Sequence, residues 1–479
     1  YDIVVEVALV RPGPIQGDAV NPYIRRRLGR EEVDYLHDSL RPALAKTLGV
    51  PLFQEQLMRI AVDAAGFSPA EADALRQAMS SKRSAERMEA LHLRLVEGMT
   101  VRGIDAGTAE TVFDKLRAFA DFGFPESHAL SFAHLVYASA WLKVRRPEDF
   151  YAGLLASQPM GFWSPQTLVA DARRHGVRVL PADVNASREE ACVRTRGQEA
   201  GQGPCEEGDG DAGWEPLHPS PSALSPLETH PDLAVRLGLA RLKGLGGRVA
   251  AAIVSERLAH GPYTDVADLA RRVRLNRRRL ETLAAAGALA SLGVGRRQAL
   301  WAAGALSGEH GRTTGEAEES GRWYQPPLPG TAVGARAPHL PPMTDRERQA
   351  ADLRLTGTST RGFPTAFVRP DLARSGVLPI AEAVRRGAGE RVRVAGVVTH
   401  RQRPGTASGT VFLNLEDETG LLNVVCSAGM WKRYSRVGRR ASALVVRGLV
   451  ESADGATSLV ADRFQALGGI ETAGSRDWC

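Results

Sequence analysis

Three groups of residues have side chains and spacings suited to binding phosphates. In ADALRQAMSSKRSAERM, Arg76, Lys82 and Arg83 lie on and just after one predicted helix, where guanidinium and ammonium groups could hold a triphosphate. In FGFPESHALSF, Ser127 and His128 follow a Gly-aromatic-Pro turn and lead into a helix start, so a hydroxyl, an imidazole and free backbone N–H groups could meet an anion. Composition alone favours a plainer reading of both, a surface helix and a helix cap. In LGLARLKGLGGRVAAAIVSER, the turn Lys243-Gly244-Leu245-Gly246 sits between two predicted helices, the pattern of a helix-hairpin-helix. Its glycines permit a tight turn, and backbone N–H groups at the second helix's start can approach a phosphate. A related copy follows in LNRRRLETLAAAGALASLG, where Arg277, Arg278 and Arg279 precede the helix and Gly287 marks the turn. Ordinary helical hairpins are the bland alternative. Contacts of this kind reach only the phosphate backbone, so the binding expected is sequence-independent.

The elements that must position these groups can be traced along the chain. At 479 residues the length suits roughly three domains of about 100 to 200 residues each. With 43% hydrophobic and 24% charged residues the composition is that of an ordinary soluble protein, and no apolar run approaches the roughly 18 residues a membrane helix needs. Tyr1 to Leu9 lacks a basic n-region, which argues against a signal peptide and suggests a chain cut inside a fold. Cys192, Cys205, Cys426 and Cys479 match no metal or redox spacing, and a cytoplasmic location fits them best.

The expected architecture is multidomain α+β. Residues 1–190 read as an all-helical region, with Ser68 and Glu71 forming a capping box and Pro147 opening a helix, except for a short strand, VRVLP, after the helix PQTLVADARRHG. An acidic, disordered insertion is expected over 197–232, with eight acidic and no basic residues. Residues 233–306 return to helix as the tandem helix-hairpin-helix, 307–342 form a linker and 343–390 a connecting segment. Five short strands and one helix, AGMWKRYSRVG, over 391–468 give the count of a five-stranded OB barrel. There Phe412, Trp431 and Tyr434 are candidates to stack on unpaired bases, amid Arg393, Arg401, Lys432, Arg433, Arg439 and Arg440. Phe412 equally fits the barrel core, and Trp431 equally fits a cap on the barrel. The net charge of +6 is concentrated: residues 233 to 300 hold 13 basic against 4 acidic residues, and 385 to 447 hold 12 against 4, whereas residues 1 to 150 hold 19 against 21. Two polyanion-facing surfaces are the simplest reading.

The segments VEVALVRPGPIQGDAVNPYIRRR, LFQEQLMRIA, ADALRQAMSSK, FGFPESHALSFAHLVYASAWLKV, QPMGFWSPQTLVADARRHGV and ADVNAS together resemble the fingers region of the bacterial DNA polymerase III alpha-type family, the C family. The order of fingers, tandem helix-hairpin-helix and OB domain is also similar to that family's. FPESHALSF and QPMGF resemble its error-prone branch, since Pro125 and Glu126 stand where the replicative subunit tends to have Asn-Lys. The resemblance implies template-directed DNA synthesis in damage-induced mutagenesis and translesion synthesis, with primer-template DNA and deoxynucleoside triphosphates as ligands. It implies two Mg²⁺ ions held by palm aspartates, which in this family precede VALVRPGPIQG. On that basis the segment before Tyr1 is expected to carry the chemistry, and this chain alone is expected to hold no catalytic or metal-binding residue and to be inactive. Arg76 aligns with the first Arg of the family's Arg-Arg-Ala-Met motif, while Gln77 replaces the second and Ser80 and Ser81 replace a Gly-containing turn. Ser127 and His128 occupy the family's Ser-His position near the triphosphate, and Arg11 in the RPGP turn is a further contact at the palm-fingers junction. No internal sliding-clamp peptide is present, so access to the clamp is expected through a Y-family-like mutasome protein. A stand-alone DNA-binding remnant and a fragment of a replicative alpha subunit are the alternatives.

Overall fold

The structure is a computed structural model that describes residues 1–9, 20–79, 89, 91–120, 124–195, 227–310, 337–404, 407–453, 456–472 and 474–478. The chain divides into two compact units, Tyr1–Ala140 and Trp141–Cys479.

The first unit is helical. Apolar residues at three- and four-residue spacing put Leu57, Ile60, Ala61 and Ala64 of the helix Gln54–Ala65 into a core with Leu95 and Met99 of His92–Val101 and with Val112, Phe113 and Leu116 of Ala106–Ala120. Gly98 allows a close crossing: a Cβ there would lie 2.0 Å from the Ala65 carbonyl oxygen. Buried Gln56 makes four hydrogen bonds, accepting from the Leu52 and Phe53 amides and donating to the Ala43 carbonyl and Thr47 Oγ1. The expected capping box forms, with Ser68 and Glu71 exchanging bonds of 2.7 and 3.3 Å at the start of Pro69–Met79. A second core joins Val4, Val5 and Ala8 of the helix Asp2–Leu9 to Phe53 and to Ala129 and Ala133 of the helix Glu126–Arg145.

In the second unit Pro147 opens the helix Pro147–Ala156, and Ser164 caps Pro165–Arg174 by accepting from the Thr167 amide. Strands β1 (Val179–Leu180), β2 (Cys192–Thr195) and β3 (Leu233–Arg236) follow, with β3 central, parallel to β1 and antiparallel to β2. Residues 233–236 are therefore strand, not the expected helix. Gly238, next in the chain, passes so close to the Glu189 and Glu190 backbone that a Cβ would meet it at 2.4 Å, which fixes this extended path. The first hairpin's opening helix correspondingly shrinks to one 3-10 turn, Leu239–Arg241, before the helix Gly247–His260. Helices Val266–Val273, Arg277–Ala285 and Arg296–His310 complete this part, whose core runs from Tyr151 through Leu168, Val235, Ile253 and Leu283 to Leu306. Helix Asp345–Thr356 carries buried Asp352, which pairs with Arg296 at 2.8 Å.

The barrel matches its expected strand count. Strands β4 (Arg391–Gln402), β5 (Val411–Glu416), β6 (Leu421–Cys426), β7 (Ala443–Ala453) and β8 (Ala456–Ala466) close in the order β4-β5-β6-β8-β7-β4, parallel only between β6 and β8. A short β9 (Arg476–Trp478) adds alongside β4. Alternation puts Val411, Leu413 and Leu415 inside. Cys426 is in this core, its thiol pushed up to about 12 by burial, which leaves it unreactive.

The helix Pro165–Arg174 ties the barrel to the hairpin core. Leu168, Val169 and Ala172 enter that core, while Arg174 makes a bidentate pair with Glu416 of β5 at 3.0 and 3.1 Å and Thr167 Oγ1 donates to the same carboxylate at 2.8 Å. Both members of the ion pair are buried. Burial pushes the Glu416 carboxyl up, and Arg174 and Thr167 pull against that rise. Arg174→Ala is therefore expected to cost about 3–5 kcal/mol at neutral pH, the usual penalty for stranding a buried charge. With its guanidinium gone, Glu416 has a folded pKa above its unfolded one, so the variant gains relative stability as pH falls and loses it as pH rises through that folded value. Thermal melts from acid to neutral pH should show the gap to wild type widening with pH; a constant gap would contradict the assignment.

Candidate nucleic-acid interface

The first hairpin turn is built by its two leucines and two glycines. Leu242 and Leu245 are buried anchors, while Gly244 and Gly246 take φ of +94° and +83°, a region L side chains rarely adopt. Lys243, Gly244, Gly246, Gly247 and Arg248 are left exposed at the start of Gly247–His260, whose N-cap, Gly246, offers no side-chain oxygen. A Cβ on Gly244 would lie 3.6 Å from Thr282 Oγ1, so the turn rests against the second copy's helix. That helix begins earlier than expected: Arg277, Arg278 and Arg279 form its first turn rather than preceding it, because Asn276 caps it by accepting from the Arg279 amide at 3.1 Å. Arg277 is held by Glu281 at 2.7 Å; Arg278 is exposed and Arg279 half-buried, and neither makes an ion pair among the described residues.

The local charge excess is larger than the exposed cation set. Arg257 donates to the Val184 and Ser187 carbonyls, Arg272 stacks on Tyr263 and pairs with Glu256 and Asp268, Arg236 is buried, and Arg296 belongs to Asp352. Three exposed cations escaped the sequence reading: Arg248 and Arg274, and Arg271, which is paired with Asp268. The first had a readable signal: a cation in a helix's first turn opposes the macrodipole unless an anion joins it.

In the barrel two expected contacts are overturned. Arg401 is buried and structural: its guanidinium donates to the Gly438 carbonyl at 2.7 Å and to the Ala441 carbonyl, and it pairs with Asp477. Trp431 is also buried, stacked so closely over Gly438 that a Cβ there would meet its ring at 2.7 Å. It caps the barrel and is not available to stack on bases. Tyr434 leans on Phe464, and Arg393 donates to the Ser375 carbonyl at 2.8 Å. Phe412 lies on the strand face opposite the core, half-buried between Gln402 and Val425 on the neighbouring strands. Lys432, Arg433, Arg439 and Arg440 are exposed.

In the first unit the turn before Glu126 is fixed by hydrogen bonds. The Gln54 amide donates to the Phe124 carbonyl at 3.0 Å, and Glu55 accepts from the Glu126 amide at 2.9 Å, placing a carboxylate at the helix's positive end. Tyr1 Oη donates to Glu126 at 2.7 Å. Ser127 and His128 are thereby exposed together in the first helical turn, His128 edge-on to Phe124 and Phe132. Arg76 is on a separate helix and pairs with Asp73 at 2.8 Å. Hydrogen bonds from Arg76 and then Gln77 hold the Asp73 carboxyl below its ordinary value. Arg11, Lys82 and Arg83 lie outside the described residues. Among the described residues no group of three or more His, Cys, Asp or Glu is placed to hold a metal ion, so they do not fit the two-Mg²⁺ site. No helix among them is long and apolar enough to cross a membrane.

Residues 1–103 match the bacterial DNA polymerase III alpha subunit finger domain, 176–299 a helix-hairpin-helix motif and 392–467 an OB-fold nucleic acid binding domain. The chain is 50% identical over 476 residues to an error-prone DNA polymerase of Nocardia farcinica, 49% over 479 to one of Mycobacterium tuberculosis and 47% over 481 to one of Corynebacterium glutamicum. These alignments take in 98–100% of this chain and 37–40% of the relatives, so the chain spans about two fifths of their length. In its three matched segments the chain is similar to the polymerase III alpha-type family of bacterial DNA polymerases, and along its whole length it is similar to proteins named error-prone DNA polymerase.

Proposed function

We propose that this chain is the nucleotide-gripping and DNA-holding part of an error-prone DNA-directed DNA polymerase that works in damage-induced mutagenesis and translesion synthesis. The observation that carries the reading is the 49–50% identity, maintained over 98–100% of the chain, to proteins named error-prone DNA polymerase. In this reading the domains are fingers over 1–190, tandem hairpins over 233–306 and OB barrel over 391–468. Arg76, with Lys82, Arg83 and Arg11, holds the phosphates of an incoming deoxynucleoside triphosphate, and Ser127 and His128 meet them at their helix start. Arg76 must exchange Asp73 for phosphate, a swap of one charge-assisted bond for another. Gln77, which hydrogen-bonds Asp73, contributes no charge to this grip. The exposed cations of the hairpins hold primer-template DNA by its backbone. The two Mg²⁺ ions that would supply the in-line displacement chemistry would be held by palm aspartates and not by the described residues. The sliding clamp would be reached through a Y-family-like mutasome protein, in the cytoplasm.

Template-directed primer extension by the whole protein with Mg²⁺ tests the activity, and Arg76→Ala tests the grip. The variant should raise KM for the nucleotide about tenfold or more, the loss of one charge-assisted bond of ~1.5–3 kcal/mol, while leaving primer-template affinity unchanged. An unchanged KM would remove Arg76 from the site, whereas no extension at all by the whole protein would favour a stand-alone DNA-binding module.

Neutralising Lys243, Arg278 and Arg279 should weaken binding of all duplex sequences about equally and flatten the salt dependence by roughly 0.9 for each phosphate no longer neutralised. Weakening confined to particular sequences would contradict a backbone-only mode.

A further inference from the structure

The helix Ala428–Arg440 carries five exposed cations, Lys432, Arg433, Arg436, Arg439 and Arg440, and no acidic residue. At 3.6 residues per turn the five fall within an arc of about 120°. The opposite side holds Met430, Trp431, Tyr434, Val437 and Gly438, which pack on the barrel. None of the five cations makes an ion pair among the described residues; Arg433 merely lies over the Tyr434 ring at 5.6 Å. Elsewhere in this unit arginines are commonly matched to carboxylates, as Arg369 is to Asp417 and Arg447 to Asp462. Here the spacings 432/436, 433/436, 436/439 and 436/440 set like charges side by side, each pair costing a few tenths of a kcal/mol. The fold gains nothing evident from that arrangement, and it holds the stripe firmly. Ser427 caps the helix start by accepting from the Met430 amide, and Arg401 closes its C-terminal carbonyls.

We propose that this stripe is a second DNA-holding surface, one that grips the phosphate backbone of a duplex rather than an unpaired strand. The inference rests on the polymerase reading and deepens it. Two observations favour a duplex. Lys432 to Arg440 spans roughly 12 Å of helix rise. Over that length B-form DNA presents about seven charges but one of its strands only three or four, so five cations are better neutralised by the duplex. Unpaired strands are held by stacking as well as by charge, and this helix offers no exposed aromatic face, because Trp431 is buried and Tyr434 leans on Phe464.

The test uses the full chain with Arg436, Arg439 and Arg440 all changed to Ala, and a second variant with all three changed to Lys. Binding of a labelled duplex and of a labelled single strand of the same length is titrated across salt concentrations. In the Ala variant the duplex slope of log affinity against log salt should fall by about 2–3, the single strand should lose less, and the melting temperature should not drop. The Lys variant should keep the wild-type slope. An unchanged duplex slope, or an equal or greater loss on the single strand, overturns the proposal. If the Ala variant melts lower, Lys432→Gln with Arg433→Gln replaces it under the same criteria. The hairpin variant run alongside separates two failures. Wild type binding no DNA would sink the polymerase reading and the stripe with it, whereas a hairpin-dependent wild type that the stripe variant matches would sink the stripe alone.

Discussion

Three consecutive acids at the end of β5, Glu416, Asp417 and Glu418, are buried, and each is satisfied by an element from outside the barrel. Glu416 takes Arg174 and Thr167 from the helix Pro165–Arg174. Asp417 accepts from the Ile380 amide at 2.8 Å and pairs with Arg369 at 2.9 Å. Glu418 takes Arg369 and Thr365. Carboxylates out of water are tolerated only when paired and hydrogen-bonded, so this strand end dictates what must surround it. The connecting segment wraps the barrel because its Arg, Thr and amide groups are the required partners. The hairpin core sits where it does because Arg174 shares a ten-residue helix with Leu168, Val169 and Ala172.

A second layer of charge reinforces the same helix. Asp171 is flanked by Lys143 at 2.8 Å, Tyr151 at 2.7 Å and His175. Burial alone would raise its pKa; the hydrogen bonds from His175, Lys143 and Tyr151 win and hold it well below the ordinary carboxylate range. The consequence for any DNA-facing role is geometric. Hairpin turns and barrel are carried on one frame whose joints are buried ion pairs, so the exposed cations keep fixed spacing and bind without the cost of ordering loops.

Much of this frame was legible in the sequence. The barrel strands announced themselves through two-residue alternation and Gly-containing turns, and the capping residues Ser68 and Pro147 fell where their chemistry requires. The role of Arg401 was not legible, because the Gly438 and Ala441 carbonyls that it meets lie 37 and 40 residues along the chain and only tertiary packing brings them together; for Trp431 the sequence left stacking and capping open, and packing of its helix on the barrel core decides for the cap. The four-residue β3 was missed because its two partner strands lie across a long insertion, and an apolar tetrad has no period to read. Charge counting located the basic blocks but overstated their surfaces, since Arg236, Arg257, Arg272 and Arg296 serve the interior. The pairing of Arg76 with Asp73 was visible as an i,i+3 spacing, whereas Lys82, Arg83 and Arg11 fall outside the described residues.

The central claim is that the hairpin turns and the barrel present their cations to DNA from one rigid frame. It is tested most directly by the per-site affinity of the chain for duplexes of graded length at fixed salt. If both surfaces engage one duplex, the affinity should step up once the duplex is long enough to reach the second, because that contact becomes intramolecular. An affinity per site that stays flat with length would contradict the account.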